Sequence, residues 1–366
     1  MTEQLKLKLN DSKATRWGAL VIVAFTMMAA YYVNDVVAPL KTMLETDLAW
    51  SSTDFGFFTG GYSFLNVFFL MLIWGGLILD RFGIRFTGKL ATILMVGGTA
   101  LEYYAMTGLA GADATLFGIN EIFGYKTGVF VAFAGYSIFG VGAEVAGITV
   151  SKIIAKWFKG KELATAMGVQ VALARIGSQA GYAVAIPLAR AFGISTPVLL
   201  GLVLLLGGMI AFFVFTVMDK KLDKQMEAAA IAAGTEDEEE KFSFKDVKNI
   251  LVNPGFWLIA LLCVLFYSCV FPFQKFASEL MIIKYGINEN VAGTFAGLPA
   301  LGALILTPVF GGFIDKRGKS ASIMLLGSAM LICVHFIYAI PDINYWLVAI
   351  VLMIILGIAF SLVPSA

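Results

Sequence analysis

The amino-acid sequence predicts an all-α membrane protein, and three observations support this fold class. Hydrophobic residues make up 59% of the 366 residues, the mean hydropathy is +0.86, and only 14% of residues are charged. A soluble domain carries about 25% charged residues. Apolar runs long enough for the ~30 Å hydrocarbon core of a bilayer recur along the whole chain. Because these runs are too long and too uniformly apolar for barrel strands, we expect a helix bundle.

A hydropathy window of about 19 residues predicts ten transmembrane helices. Their predicted ranges are 17–40, 54–79, 88–109, 128–155, 162–189, 195–217, 256–283, 290–314, 321–340 and 345–366. The three cysteines lie in apolar runs, so we expect Cys263, Cys269 and Cys333 to be free, buried thiols rather than disulfides. The net charge of +1 gives no indication of a nucleic-acid partner.

The distribution of lysine and arginine predicts the orientation. If the N-terminus is cytoplasmic, the tail and the inner segments hold 20 of the 26 lysines and arginines. The outer loops then hold four, which are Lys41, Lys126, Arg190 and Lys284. Basic residues accumulate in the cytoplasmic segments of membrane proteins. The sequence therefore predicts that the N-terminus lies inside.

An internal repeat follows the second helix of each predicted half. Residues 75–86 read GGLILDRFGIRF and residues 310–321 read FGGFIDKRGKSA. Aligned without gaps, the two copies of G-x-x-x-D-[RK]-x-G match Gly76 with Gly311, Asp80 with Asp315, Arg81 with Lys316 and Gly83 with Gly318. Each acid can pair with a basic group or cap a neighbouring helix. Two copies in register predict a duplicated bundle.

This motif resembles the signature loop between the second and third helices of the major facilitator superfamily. The first copy departs at its end, where Phe86 stands in place of the usual second basic residue. The resemblance covers the whole chain and implies two pseudo-symmetric six-helix bundles, related by a two-fold axis along the membrane normal. It divides the chain into a cytoplasmic tail (1–16), an N-terminal bundle (17–217), a cytoplasmic linker with the acidic run EDEEE (218–255) and a C-terminal bundle (256–366).

The end of the sequence falls early for that fold. Residues 356–366, LGIAFSLVPSA, align with residues 139–149, FGVGAEVAGIT, inside the fourth helix of the first half. We therefore expect a tenth helix that is cut short, and a chain that is a C-terminally truncated twelve-helix protein. A carrier with ten helices by nature is the alternative.

One arginine lies in the middle of an otherwise apolar span. Arg175 stands in VALARIGSQAG, and a charge at the centre of a bilayer costs a few kcal/mol or more. Glu144 and Arg175 each lie about fifteen residues from the turn near residue 160, so at 1.5 Å per residue they reach nearly equal depth in an antiparallel hairpin. We expect Glu144 to be the compensating charge. The pair is either a structural clamp or, given the small residues on the same helix, part of a water-filled cavity.

The stretch 143–178 carries a narrower resemblance. Its WFKGKEL and ARIGS elements, with Gln170 between them and Glu144 upstream, resemble the family of major facilitator superfamily domain-containing protein 1, lysosomal carriers of dipeptides. That resemblance implies a peptide substrate, with Glu144 and Arg175 in the binding cavity. The chemistry agrees, since a zwitterion offers an ammonium to the carboxylate and a carboxylate to the two-pronged guanidinium.

Other polar residues within the spans are weaker candidates. We predict that Tyr32, Asp35, Gln179 and Lys275 complete the substrate-binding set, although Asp35 fits an interfacial acid equally well. Lys275 and Glu279 are four apart, which favours a local ion pair. We expect Glu102 to be interfacial and His335, the one histidine, to be a core residue outside the cavity.

The function predicted from these residues is secondary transport of a small zwitterion, most simply a dipeptide, by alternating access. A carboxylate exchanger that uses Arg175 alone and a non-transporting sensor on a carrier fold are the alternatives. Metal-ligand spacings, phosphate loops and nucleophile motifs are missing from the sequence, so we predict no enzyme activity and no cofactor. The one glycosylation sequon, Asn10-Asp11-Ser12, lies in the predicted cytoplasmic tail. A bacterial inner membrane therefore fits better than a lysosome, and the sequence does not identify a partner subunit.

Overall fold

The computed structural model describes residues 8–111, 114–233, 250–317 and 319–365. Within them the chain is almost entirely helical. The helices are α1 (Lys13–Val36), α2 (Lys41–Asp47), α3 (Ser52–Phe68), α4 (Met71–Thr107), α5 (Thr127–Trp157), α6 (Leu163–Phe192), α7 (Thr196–Ala233), α8 (Pro254–Ile283), α9 (Glu289–Ala296), α10 (Leu298–Arg317), α11 (Ser320–Ala339) and α12 (Trp346–Ser365). A short hairpin of β1 (Glu121–Ile122) and β2 (Tyr125–Lys126) precedes α5.

Polar residues at the helix starts explain several of these boundaries. Ser12 caps α1, since its hydroxyl accepts a hydrogen bond from the Thr15 N–H. Ser51 and Asp54 form a reciprocal capping box at the start of α3, with Ser51 N donating to Asp54 Oδ2 at 2.8 Å. Such caps satisfy backbone donors that the first helical turn leaves free. In both helices the capping serine stands before the apolar run, so the helix begins ahead of the apolar residues.

The first copy of the repeated motif forms a sharp turn inside α4. Gly83 has φ 74° and ψ 173°, a conformation essentially restricted to glycine, and it divides α4 into two helices. Asp80, at the end of the first of these, accepts a hydrogen bond from the Lys152 ammonium of α5 at 2.9 Å. The motif acid therefore pairs with a base, which was one of its two predicted roles. In the second copy, Gly318 and the Asp315 side chain lie outside the described part of the chain.

Fewer helices than predicted meet a strict test of length and apolarity for crossing a membrane. Among the described residues seven helices meet it, or eight if α3 and α4, bent by 58° at their break, are counted as one span. The prediction of ten spans counted the part of α4 beyond Gly83 separately, and it also counted α6. α6 falls short because it carries Gln170, Arg175, Gln179 and Arg190 among small residues. It nevertheless packs against α1 within the helix bundle.

α7 is longer than the sequence predicted. The sixth span was expected to end at residue 217, but the helix continues without interruption to Ala233. The first part of the predicted linker is therefore helical, and the acidic run 236–240 lies outside the described residues. The prediction of buried thiols was wrong, because all three cysteines are free but exposed on the surfaces of α8 and α11.

The two halves of the chain meet at one end of the molecule, here called the closed end. Lys41 of α2 forms an ion pair with Glu279 of α8 at 2.5 Å, and Arg190 at the end of α6 pairs with Glu289 at the start of α9. In the described part of the chain, the ion pairs and hydrogen bonds that join the halves all lie between this end and the depth of Lys275. The halves separate toward the opposite end, which carries the start of α1 and the turn between α5 and α6.

Candidate functional site

A cavity of about 600 Å³ lies between the two halves, below the closed end. Helices α1, α3, α5, α6, α8 and α12 each contribute side chains to its wall. The polar and aromatic residues that matter for its chemistry are Tyr31, Asp35, Tyr62, Glu144, Arg175, Lys275 and Phe360. Its volume falls in the range of about 300–1,000 Å³ typical of small-molecule sites. The cavity therefore joins four of the predicted site residues in one place.

Arg175 reaches the cavity from α6, which is held close to α1. A side chain at Gly177 would collide with the Met28 carbonyl of α1, so glycine permits this approach. Gly177 thus brings two backbones together, while Ser178 of the same helix lines the cavity beside the arginine. The guanidinium lies 5.6 Å from the ring centre of Tyr31 and 5.1 Å from that of Phe360. Cation–π contacts of this kind are worth about 0.5–2 kcal/mol, depending on solvation.

Glu144 faces the same cavity from α5. Its Oε1 accepts a hydrogen bond from the Tyr62 hydroxyl at 2.8 Å. The expected direct pair is absent, since no ion pair among the described residues joins Glu144 to Arg175. Glu144 and Arg175 line the same cavity, as their predicted common depth implied, but they do not contact each other as predicted. Two aromatic rings, rather than the carboxylate, surround the guanidinium in this conformation.

A second pair of charges lies between the Glu144–Arg175 level and the closed end. The Lys275 ammonium of α8 donates to the Asn34 carbonyl at 2.5 Å, to the Tyr136 hydroxyl at 3.2 Å and to Asp35 Oδ1 at 3.4 Å. The predicted local pair with Glu279 was wrong, because Glu279 instead binds Lys41. Asp35 is therefore a cavity residue and not an interfacial acid, and its contact with Lys275 joins the two halves.

Two of the predicted binding residues do not line the cavity. Tyr32 is 2% exposed, and its hydroxyl donates to the Pro197 carbonyl, so its ring packs between α1 and α7. Gln179 of α6 faces the end of α9, where its amide donates to the Thr294 carbonyl at 3.4 Å. Tyr31 takes the place predicted for Tyr32. Gln179 instead belongs to the contact between the halves.

Two further intramembrane residues had predicted locations. Glu102 was expected at an interface, but its side chain is fully buried between α4 and α5, and neither carboxyl oxygen has a hydrogen-bond partner. His335 is half-buried in α11, where its ring nitrogens face the carbonyls of Leu331 and Cys269. The histidine lies outside the cavity lining, as predicted.

The sequence analysis missed a buried acid at the end of the molecule opposite the closed end. Asp219 of α7 is completely buried, and it accepts hydrogen bonds from Lys156 at 2.8 Å, Trp157 Nε1 at 3.0 Å and Arg85 at 3.2 Å. These donors come from the motif loop and from the end of α5. The cluster fixes the tryptophan of WFKGKEL, so this block of sequence has a structural role in addition to any role near the cavity. The MDKKLDK composition around Asp219 looks like a solvated helix end and hides its burial.

The sequence model that matches this chain is the one described as the Major Facilitator Superfamily, and it covers residues 19–366. The chain belongs to this superfamily. The superfamily member named lysosomal dipeptide transporter MFSD1 from Homo sapiens is 27% identical over 367 residues, a match that spans 96% of this chain and 72% of the human protein. MFSD1 from Danio rerio is 26% identical, over 95% of this chain and 71% of the relative.

Solved structures of superfamily transporters share the fold. A bacterial homologue of the human drug peptide transporters PepT1 and PepT2 has a TM-score of 0.65 at 13% identity, over 95% of this chain and 82% of that one. A D-xylose-proton symporter has a TM-score of 0.61 at 15% identity, over 94% and 80% of the two chains. A bacterial homologue of the human lysosomal transporter Spinster, in an inward-facing and occupied conformation, has a TM-score of 0.62 at 14% identity, over 97% and 74% of the two chains. At such identities these structures support the fold alone, which is an all-α superfamily fold as predicted.

Proposed function

We propose that this transporter carries small zwitterionic solutes, with dipeptides as the substrate class, and that Glu144 and Arg175 bind the two ends of the substrate. One observation carries the proposal. Arg175 faces the cavity, and among the described residues its guanidinium has ring contacts but no hydrogen bond or ion pair. A guanidinium offers five donors in a planar fork that suits a carboxylate. Its hydrogen-bonding capacity is therefore open to a ligand.

Glu144 supplies the complementary charge on the same wall. Its carboxylate is held by the Tyr62 hydroxyl, which occupies one of its roughly four acceptor positions. A free amine of a substrate can take the remaining positions, while the substrate carboxylate binds Arg175. A zwitterion then satisfies both charges at once, and a solute with only one charged end leaves the other residue unmatched. The named dipeptide activity of the MFSD1 relatives supports the same substrate class.

The orientation and the division into bundles are part of this proposal. With the N-terminus in the cytoplasm of a bacterial inner membrane, the closed end faces outward and the cavity opens inward. The N-terminal bundle is 17–217, the linker is 218–255 and the C-terminal bundle is 256–366. Cysteine labelling tests the orientation after the three native cysteines have been replaced. Thr115→Cys should react with an impermeant reagent from outside and Asp237→Cys only from inside, and the reverse pattern refutes the topology.

The substrate proposal is tested with matched peptides. Binding of one dipeptide with free ends, one with an acetylated amine and one with an amidated carboxyl is measured on Arg175→Lys, Glu144→Gln and the exposed control Arg81→Lys. Arg175→Lys keeps the charge but loses the fork, so it should weaken peptides with a free carboxylate and spare the amidated one. Glu144→Gln should weaken peptides with a free amine and spare the acetylated one. Arg81→Lys should leave the binding of all three peptides unchanged.

Thermal stability is measured alongside affinity, because either change can loosen the bundle. If both variants bind the three peptides in unchanged ratios, Glu144 and Arg175 do not read the substrate termini and the proposal fails. If only the carboxylate end matters, the chain is instead a carboxylate carrier that uses Arg175.

A further inference from the structure

Glu102 is a buried acid that the proposed transport site does not use. It lies in α4, its side chain is 0% exposed, and neither carboxyl oxygen has a hydrogen-bond partner among the described residues. α5 packs tightly against it, since a Cβ atom at Gly135 would approach the Glu102 backbone nitrogen to 2.9 Å. Most buried side-chain oxygens in proteins are hydrogen-bonded, so an acid with two free oxygens needs an explanation.

The absence of donors fixes the protonation state of Glu102 in this conformation. An ionised carboxylate without donors is several kcal/mol less stable in a buried site than in water, and such a group takes up a proton instead. Among the described residues, the one cation within electrostatic range is Lys275, whose ammonium already binds Asn34, Asp35 and Tyr136. Glu102 is therefore a neutral acid while the closed end is shut.

The groups around Glu102 connect it to the cavity and to the second half of the chain. Tyr136 of α5 lies within electrostatic range of both Glu102 and Asp35. Asp35 and Lys275 line the cavity, and Lys275 belongs to α8 in the second half. Lys275, Tyr136 and, beyond them, Asp35 are the ionisable groups that act on Glu102 from the helices around it. The surroundings of Glu102 must change when α8 moves away from α1.

We propose that Glu102 is a proton-binding site linked to the closing of the outer end. When the halves separate there, water reaches the Asp35–Tyr136 region, the Glu102 O–H bond breaks and its proton passes to water. When the halves close, the carboxylate takes a proton back from water and is buried as the neutral acid. One proton is therefore bound for each closure. This inference rests on transport by alternating closure, and it does not depend on a dipeptide being the substrate.

The test measures the conformational equilibrium as a function of pH. Thr59 lines the cavity from α3, so in a background without native cysteines Thr59→Cys reports opening of the closed end to an impermeant maleimide added from that side. The thiolate is the group that reacts, so the labelling rate of Thr59→Cys is divided by that of the exposed Thr115→Cys at the same pH, which removes the pH dependence of the thiol itself. In the otherwise unchanged protein, this relative labelling rate should fall as the pH is lowered, by up to about tenfold per pH unit for a single linked proton. A relative labelling rate that does not depend on pH overturns the proposal without any change to Glu102.

The matched variants identify the group responsible. Glu102→Gln keeps the shape but cannot release a proton, so its relative labelling rate should be low and independent of pH. Glu102→Met serves the same purpose if the glutamine variant does not fold. Thr99→Val, one turn away at another fully buried polar position, should keep the pH dependence of the parent. A pH dependence of the relative labelling rate that survives in Glu102→Gln assigns the proton to another group, such as Asp35, and overturns the proposal.

Two more measurements separate this inference from the substrate proposal. The infrared band of a neutral carboxylic acid should be present in the parent and lost in Glu102→Gln, and a band that remains contradicts the assignment. Dipeptide binding at one fixed pH is measured in the same samples. If no dipeptide binds but the pH linkage is present, the proposed substrate is wrong while the proton site stands.

Discussion

Removing the charge of Glu279 should open the closed end selectively. The Lys41 ammonium is 2% exposed and also binds Glu45 at 2.7 Å and the Ser52 hydroxyl at 2.9 Å, both in its own half. Glu279→Gln therefore weakens the one contact of this ammonium that crosses between the halves, and leaves the lysine with partners. Because Lys41 keeps these partners, the loss of about 3–5 kcal/mol that follows when a buried charge has no partner does not apply to it. A hydrogen bond to a charged group is worth about 1.5–3 kcal/mol.

The weakened hydrogen bond destabilises the closed conformation relative to the open one and leaves the folding of each half unchanged. At 1.4 kcal/mol per factor of ten, we expect the equilibrium to shift toward opening by roughly 10- to 100-fold. Maleimide labelling of Thr59→Cys from the side of the closed end should accelerate by that factor when opening and closing are fast compared with labelling. Glu45→Gln is the matched control, because it removes a charge from the same ammonium within one half. Equal labelling rates in the two variants would refute the assignment of Lys41–Glu279 as the closing contact.

Three other changes have expected outcomes. Gly83→Ala should lower stability in detergent by about 1–3 kcal/mol because of its backbone conformation, whereas Gly76→Ala, with no atom near the added carbon, should be neutral; equal melting temperatures contradict this. Asp219→Asn should cost about 1.5–3 kcal/mol, since it weakens hydrogen bonds to a buried charge while Arg85 and Lys156 keep Asp223 as a partner, and the half-exposed Asp223→Asn should cost at most about 1 kcal/mol. Hydrogen bonds from Arg16 of α1 hold the pKa of Glu162 below its usual value. The Arg16–Glu162 pair therefore stabilises the fold fully at pH values above the usual pKa of a glutamate, and this stabilisation is lost as the pH falls through the lowered pKa. Glu162→Gln should flatten the acid limb of the melting-temperature profile, and an unchanged limb would refute the role of this pair.

The sequence predicted those features that depend on local pattern. Apolar runs located the helices, and the turn at Gly83 falls within the motif that resembled a loop between the second and third helices. Glu144 and Arg175 were placed at one level because counting from a single hairpin turn needs no knowledge of the other helices. Their common position in the cavity wall follows from that count.

The features that depend on helix rotation could not be predicted in the same way. Tyr31 and Tyr32 are adjacent, so they point about 100° apart around α1, and only the bundle shows that Tyr31 faces the cavity. Lys275 and Asp35 are 240 positions apart, and the i,i+4 rule favoured Glu279 instead. Burial of Glu102 depends on which face of α4 meets α5, and its position near the end of a span suggested a wet interface.

The ring contacts of Arg175 have a consequence for how the carrier uses its substrate. Tyr31 belongs to the first half and Phe360 to the second, so the guanidinium lies between parts that separate and rejoin. If Arg175 binds the substrate carboxylate as proposed, the cation has a different environment in each conformation, and its affinity for that carboxylate differs accordingly. Reciprocity requires that a bound carboxylate bias the conformations by the same factor. A single cation held between two rings can thus make the protein respond to its cargo, without any separate sensing element.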